Sequence, residues 1–221
     1  MSTRAMTGQQ IIDARLDGWA FLVHYGLFRL HTRIKTESFG ASLKIVNEIG
    51  QAAEDMNHHA DLDLRSSRVD VRLTSGYEAH GVTERDVSLA RRISDIAAAV
   101  GAELESRSIS CIEFALDTPD HEKIAPFWAA VLDREYVHGD GFADVGDRNQ
   151  VLPLIWFQRS GIDEPRQRWH IDVWVDPDQV APRVEAALAA GGTMVDGALS
   201  DPDGNKICVC TWQPTDGVIG G

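Results

Sequence analysis

Glu54-Asp55-Met56-Asn57-His58-His59 is the stretch on which the first half of the chain is read. Phe39, Leu43, Val46, Ile49 and Ala53 precede or enter it at close to the spacing of one buried helix face. Ser38 stands where a helix N-cap is favoured. The spacing predicts a helix over residues 38–56 that ends at the paired histidines. Histidine titrates nearest neutral pH, so two of them at a helix end offer an acid and a base at one site. Neighbouring residues on a helix point about 100° apart. One ring is therefore expected to reach a reacting atom while the other binds the ligand or a neighbour.

Downstream, Val69, Val71 and Leu73 alternate with Arg68, Asp70 and Arg72, the period of a strand with one buried face. Beyond a glycine-containing loop, Thr83 and Asp86 form a Thr-x-x-Asp helix start. Val87, Ala90, Ile93 and Ala97 are the expected buried stripe of that second helix.

This order resembles the pterin-4a-carbinolamine dehydratase family over roughly residues 8–100. The resemblance is carried by Glu54-x-x-x-His58-His59, the strand Arg68-Val69-Asp70-Val71-Arg72-Leu73-Thr74 and the helix start Gly81-x-Thr83-Glu84-Arg85-Asp86. Trp19 and Leu27-Phe28-Arg29-Leu30 fit the family's opening. The resemblance implies an antiparallel sheet with helices on one face. It also implies metal-free dehydration of a 4a-hydroxytetrahydropterin, a pterin-like small molecule, to the quinonoid dihydropterin. By that resemblance His58, His59 and Asp86 are the catalytic candidates, with Glu54, Tyr77 and His80 supporting them or binding substrate. Tyr77 stands where the family usually carries a third histidine, and His80 follows three residues on. A phenol of ordinary pKa, about 10, is a poor base at neutral pH.

The second half repeats itself. Strand 109–116 leads through Asp117-Thr118-Pro119-Asp120 to a helix over 122–132. Strand 169–175 leads through Asp176-Pro177-Asp178 to a helix over 179–190. Strand-like segments follow each helix, among them 152–157 and 206–212. This recurrence reads as two copies of one module. It resembles the glyoxalase-like branch of the vicinal-oxygen-chelate superfamily over roughly residues 108–213. The matching residues are Pro126-Phe127-Trp128-Ala129-Ala130-Val131-Leu132, Arg168-Trp169-His170-Ile171-Asp172-Val173-Trp174-Val175 and Asp201-Pro202-Asp203-Gly204-Asn205. Metalloenzymes of that superfamily hold a divalent ion on several strands. Carried over by position, the ligands fall at Glu113, His170 and Cys208, with Gln158 the polar residue nearest the remaining position. Because this is not the superfamily's usual ligand set, the expectation is a metal-free cup, with Trp169 stacking on a flat ligand beside His170.

The expected fold class is α+β in two domains: residues 1–101, an antiparallel sheet with helices on one face, and residues 108–214, paired βαβββ modules forming a cup. Residues 101–107 read as the linker. A net charge of −13 argues against binding a phosphate backbone. Three cysteines without paired spacing argue for a reducing compartment. No run of about 18 apolar residues and no leader pattern is present, so the expectation is a cytoplasmic chain that binds no membrane. Both families commonly self-associate, which implies a homo-oligomer. The functional expectation is histidine acid/base dehydration of a pterin carbinolamine that needs no cofactor. The alternatives are a metal-dependent glyoxalase- or dioxygenase-type enzyme in the second domain, and a non-catalytic small-molecule binder.

Overall fold

The computed structural model describes residues 4–76, 79, 81–147, 150–160, 169–200 and 206–212. The chain divides into two compact units, Met1–Ile109 with Thr211–Gly221, and Ser110–Cys210. Among the described residues, no helix is long and apolar enough to cross a membrane.

The first unit runs α1 (Gly8–Asp13), β1 (Ala20–His24), β2 (Leu27–Lys35), α2 (Phe39–Asp55), β3 (Asp61–Arg65), β4 (Arg68–Leu73), α3 (Glu84–Ala99) and β5 (Glu103–Glu105). Its antiparallel sheet has the order β1-β2-β4-β3, and β5 pairs with the far end of β2. Part of the stretch read as a linker is thus a strand. The register sets Leu30 against Leu73 and Ile34 against Val69. Alternation then places Phe21, Leu30, Ile34, Val69, Val71 and Leu73 in one buried cluster with residues of α2 and α3. Trp212, grouped in sequence with the second half, belongs to this unit and packs beside Phe21, ring centroids 6.0 Å apart.

The α2 helix begins where Ser38 accepts a hydrogen bond from the Ala41 amide at 3.2 Å. Its buried stripe is the expected one only in part, at Ile49 and Ala53. Ser42, Ile45, Ile49, Ala52 and Ala53 are buried, whereas Phe39 and Leu43 are exposed. These two lie roughly 90–130° around the helix from the centre of the buried stripe. The stripe includes three small residues, which permit close approach to the sheet; an apolar-only pattern overlooks Ser42. In α3 the expected stripe is found: Val87, Ala90, Ile93 and Ala97 are all buried.

The second unit contains β6 (Cys111–Thr118), α4 (His121–Leu132), β7 (Glu135–Gly139), β8 (Phe142–Gly146), β9 (Ile155–Arg159), β10 (Trp169–Trp174), a 3-10 turn (Pro177–Gln179), α5 (Val180–Ala189), β11 (Thr193–Val195), β12 (Ala198–Ser200) and β13 (Lys206–Cys210). Its eight-stranded sheet has the order β11-β12-β13-β10-β6-β9-β8-β7. Each βαβββ module lays its last strand parallel to its first, β9 on β6 and β13 on β10. The two first strands, β6 and β10, pair antiparallel at the centre. The internal recurrence is thus an arrangement of two like halves about the β6–β10 seam.

On the sheet face of the first unit opposite its helices, His24, Arg29 and His31 are buried. Burial, then the charges of Arg29 and Arg72, lowers the pKa of His24 to about 3. His31 is lowered by burial and the same two arginines. Folded His24 stays neutral to about pH 3, whereas an unfolded imidazole protonates near 6.5. Its contribution to stability is therefore full above pH 6.5 and is lost as pH falls toward 3. Denaturant melts across that window should show stability dropping, by up to about 1.4 kcal/mol per pH unit per histidine. His24→Gln should flatten the slope. The burial register of α2 predicts that Ile45→Ala costs about 2–5 kcal/mol, while Leu43→Ala stays within about 0.5 kcal/mol. Equilibrium urea unfolding measures both.

Candidate active site and a second polar face

The helix end that carries the two histidines is built by backbone geometry. Asn57 adopts a left-handed conformation, φ 47°. The Asn57 amide donates to the Glu54 carbonyl and the His58 amide to the Ala53 carbonyl, both at 2.9 Å. This is the two-bond pattern that closes a helix on a left-handed residue, and asparagine tolerates that conformation better than most side chains. Arg85 of α3 donates to the carbonyls of Met56 and Asn57, tying the start of α3 to this stop.

The two rings then part. His58 is buried, with Nε2 2.8 Å from Asp86 Oδ1. His59 is exposed, with Nε2 3.1 Å from Glu54 Oε1. Asp86 is fully buried. Its Oδ2 accepts from the Thr83 amide at 2.7 Å, the Thr83 hydroxyl at 3.0 Å and the Ser75 hydroxyl at 2.6 Å. One carboxylate therefore completes the capping box of α3 and holds His58 through its other oxygen. An ionised carboxylate only accepts hydrogen bonds. Asp86 thus selects the His58 tautomer with the proton on Nε2 and leaves Nδ1 as the acceptor. Ser75 is held near α3 by the loop, where its amide donates to the Gly81 carbonyl at 2.9 Å. Gly81 has φ +113° and passes so close to Phe28 that a Cβ would stand 3.1 Å from the Phe28 amide nitrogen. Sequence reading singles out His58, His59, Asp86 and Glu54, which the structure pairs as His58 with Asp86 and His59 with Glu54. It missed Ser75 and Arg85, whose signal was only their proximity in sequence to Thr83 and Asp86. Tyr77 and His80 lie outside the described residues.

In the second unit, register puts Glu113, Asp172 and Cys208 side by side on β6, β10 and β13. Alternation puts His170 and Trp174 on the same face as Asp172. Each buried carboxylate is held by an indole: Trp174 Nε1 donates to Glu113 Oε2 at 3.0 Å, and Trp156 Nε1 to Asp172 Oδ2 at 2.9 Å. His170 Nε2 lies 3.3 Å from Asp172 Oδ1. Hydrogen bonds to Asp172 and Cys208 raise the His170 pKa to about 10. On the same face burial alone lifts Asp144 to about 6. The expected pairing of Trp169 with His170 is corrected. Successive strand residues face opposite ways, and Trp169 packs on the helix side against Phe114 and Trp128, centroids 6.4 and 5.4 Å apart.

The set carried over from the vicinal-oxygen-chelate metalloenzymes, Glu113 with His170 and Cys208, does not converge. Among the described residues, the donor atoms that do gather are those of His170, Asp172 and Cys208, all within 4.8 Å of one another. Asp172 escaped the sequence reading, although it shares the period-two face of His170.

A sheet backed by helices, with a carboxylate-held histidine at a helix end, defines the first unit as an α+β fold. The profile of pterin 4 alpha carbinolamine dehydratase matches residues 4–96, and that of a glyoxalase-like domain matches residues 113–210. A protein of Aquifex aeolicus assigned as a pterin-4-alpha-carbinolamine dehydratase is 36% identical over 81 residues, 37% of this chain and 77% of that one. A Streptomyces coelicolor protein of the same assignment is 35% identical over 104 residues, 46% of this chain and 99% of the relative. A crystal structure of a transcriptional coactivator/pterin dehydratase from Brucella melitensis aligns at a TM-score of 0.39 and 28% identity, covering 42% of this chain and 99% of that one. The chain belongs to the pterin-4-alpha-carbinolamine dehydratase family and carries a glyoxalase-like domain behind the family's own domain.

Asp86→Asn puts an amide N–H₂ where either the Thr83 and Ser75 donors or the His58 Nε2–H now point. It should destabilise the first unit by about 1–3 kcal/mol, measured by urea unfolding. It should also shift the His58 ring toward the other tautomer, read by 15N NMR of the imidazole.

Proposed function

We propose that the first unit dehydrates a 4a-hydroxytetrahydropterin to the quinonoid dihydropterin by histidine acid/base catalysis. The observation that carries this reading is the division of the histidine pair. One ring is buried on a carboxylate that selects its tautomer, and the other is exposed beside its own carboxylate. The family assignment of the relatives supports the substrate class.

The chemistry asks for two proton transfers. The C4a–O bond breaks as the departing hydroxyl takes a proton and leaves as water. The ring nitrogen beside C4a loses its proton, and that electron pair closes the C=N bond. His59, exposed beside Glu54, is suited to give the first proton. His58, with Nδ1 bare and Asp86 ready to stabilise an imidazolium, is suited to take the second. Each transfer contributes about 10²–10⁴-fold. In this reading Glu54 orients His59, and Ser75 and Thr83 hold Asp86. The reaction itself calls for no cofactor.

The test is turnover of freshly generated 4a-hydroxytetrahydropterin by the purified full chain. The expected result is acceleration over the spontaneous rate, reduced about 10²–10⁴-fold in His58→Ala and in His59→Ala. Because His59 is exposed, His59→Ala should leave unfolding within about 0.5 kcal/mol, which separates a chemical loss from a structural one. A native chain that gives no acceleration overturns the reading.

A further inference from the structure

We propose that His170, Asp172 and Cys208 form a zinc-binding site in the second unit, with three protein ligands and a position left for water or an oxygen-donor ligand. This inference does not rest on the dehydratase reading. It replaces the carried-over set with one that the sheet itself assembles.

Three observations support it. First, the donors converge, all within 4.8 Å of one another. Tetrahedral zinc with bonds of about 2.0–2.3 Å needs donor separations of about 3.3–3.8 Å. The His170–Asp172 pair already stands at 3.3 Å, so closing the set calls for side-chain movement of about 1 Å. The ligands stand on paired strands: Asp172 and Cys208 are direct register partners on β10 and β13, and His170 is two residues along β10.

Second, the donor chemistry selects the ion. An imidazole, a carboxylate and a thiol suit zinc. Magnesium and calcium favour oxygen ligands throughout. Three protein ligands with an open fourth position is the pattern of zinc sites that act on substrates rather than of closed structural ones.

Third, the site has an outer shell. Trp156 binds Asp172 Oδ2 and leaves Oδ1 directed toward His170. A hydrogen-bonded ligating carboxylate is a general feature of metal sites, and removing such a partner lowers affinity by about 10–100-fold. Glu113 is held apart by Trp174, which explains why the family position does not join the cluster. The His170 and Asp172 side chains are 17% and 7% exposed, shielded yet open to a small ion.

The experiment uses the full chain, stripped with chelator and titrated with Zn(II) and separately with Co(II). The expected result is one tightly held zinc per chain and, with cobalt, a thiolate-to-metal charge-transfer band in the near ultraviolet. Cys208→Ser should abolish that band and weaken zinc by more than the effect of Trp156→Phe, itself about 10–100-fold. Cys210→Ser and Cys111→Ser should retain band and affinity. A native chain that retains no stoichiometric zinc overturns the proposal. So does a cobalt band that survives in Cys208→Ser, or one that disappears in Cys210→Ser instead. The native-chain spectrum needs no variant to fold. Because neither readout involves pterin turnover, failure of this proposal and failure of the dehydratase reading are distinguishable.

Discussion

Asp86 is withdrawn from water completely, and an unpaired buried charge costs several kcal/mol. The first unit resolves that cost by bringing donors from three segments to one carboxylate. Thr83 comes from the α3 cap, Ser75 from the loop after β4, and His58 from the residues that follow α2. None of the three can move without leaving the charge underpaired. A helix start, a loop and a helix stop are thereby locked to one another, and His58 is held in a single orientation and tautomer. The left-handed Asn57 and the Arg85 bonds to the carbonyls before the histidines complete the lock from the other side.

The second unit meets a related problem on a sheet face rather than at helix ends. Glu113 and Asp172 are buried carboxylates at paired positions on adjacent strands, where like charges oppose each other. An indole N–H on each supplies a donor. Asp172 is then left with one oxygen toward His170, which also bonds Cys208. Among the described residues, histidine beside a buried carboxylate therefore occurs in two settings. In the first unit the pair is closed by hydroxyl and amide donors. In the second it stands next to a thiol, so that imidazole, carboxylate and thiol donors lie within 4.8 Å of one another.

Much of this was legible from local pattern. The caps at Ser38 and Thr83, the alternation of β4, the stripe of α3 and the repeated strand–helix order of the second half each depend on residues a few positions apart. The misreadings share a cause. The expected α2 stripe runs through Phe39 and Leu43 as well as Ile49 and Ala53, but the sheet takes up Ser42 and Ala52 in place of the first two, where small side chains allow close packing. Trp169 was placed with His170 because they are adjacent, although adjacency in a strand means opposite faces. Asp172 lies on the period-two face of His170 but at no family ligand position, so only the strand period points to it.

The amino-acid sequence alone sets the caps of α2 and α3, the alternation of β4, the presence of two α+β parts, and the placing of His58 and His59 at one helix end. Those properties follow from hydrogen bonds and periodicities spanning a few residues. Only the tertiary structure decided which carboxylate serves which histidine, and that His170 meets Asp172 and Cys208 rather than Glu113. Strand order and register bring residues 36 apart in the chain, Asp172 and Cys208, to one pair of positions, and no local pattern encodes that meeting.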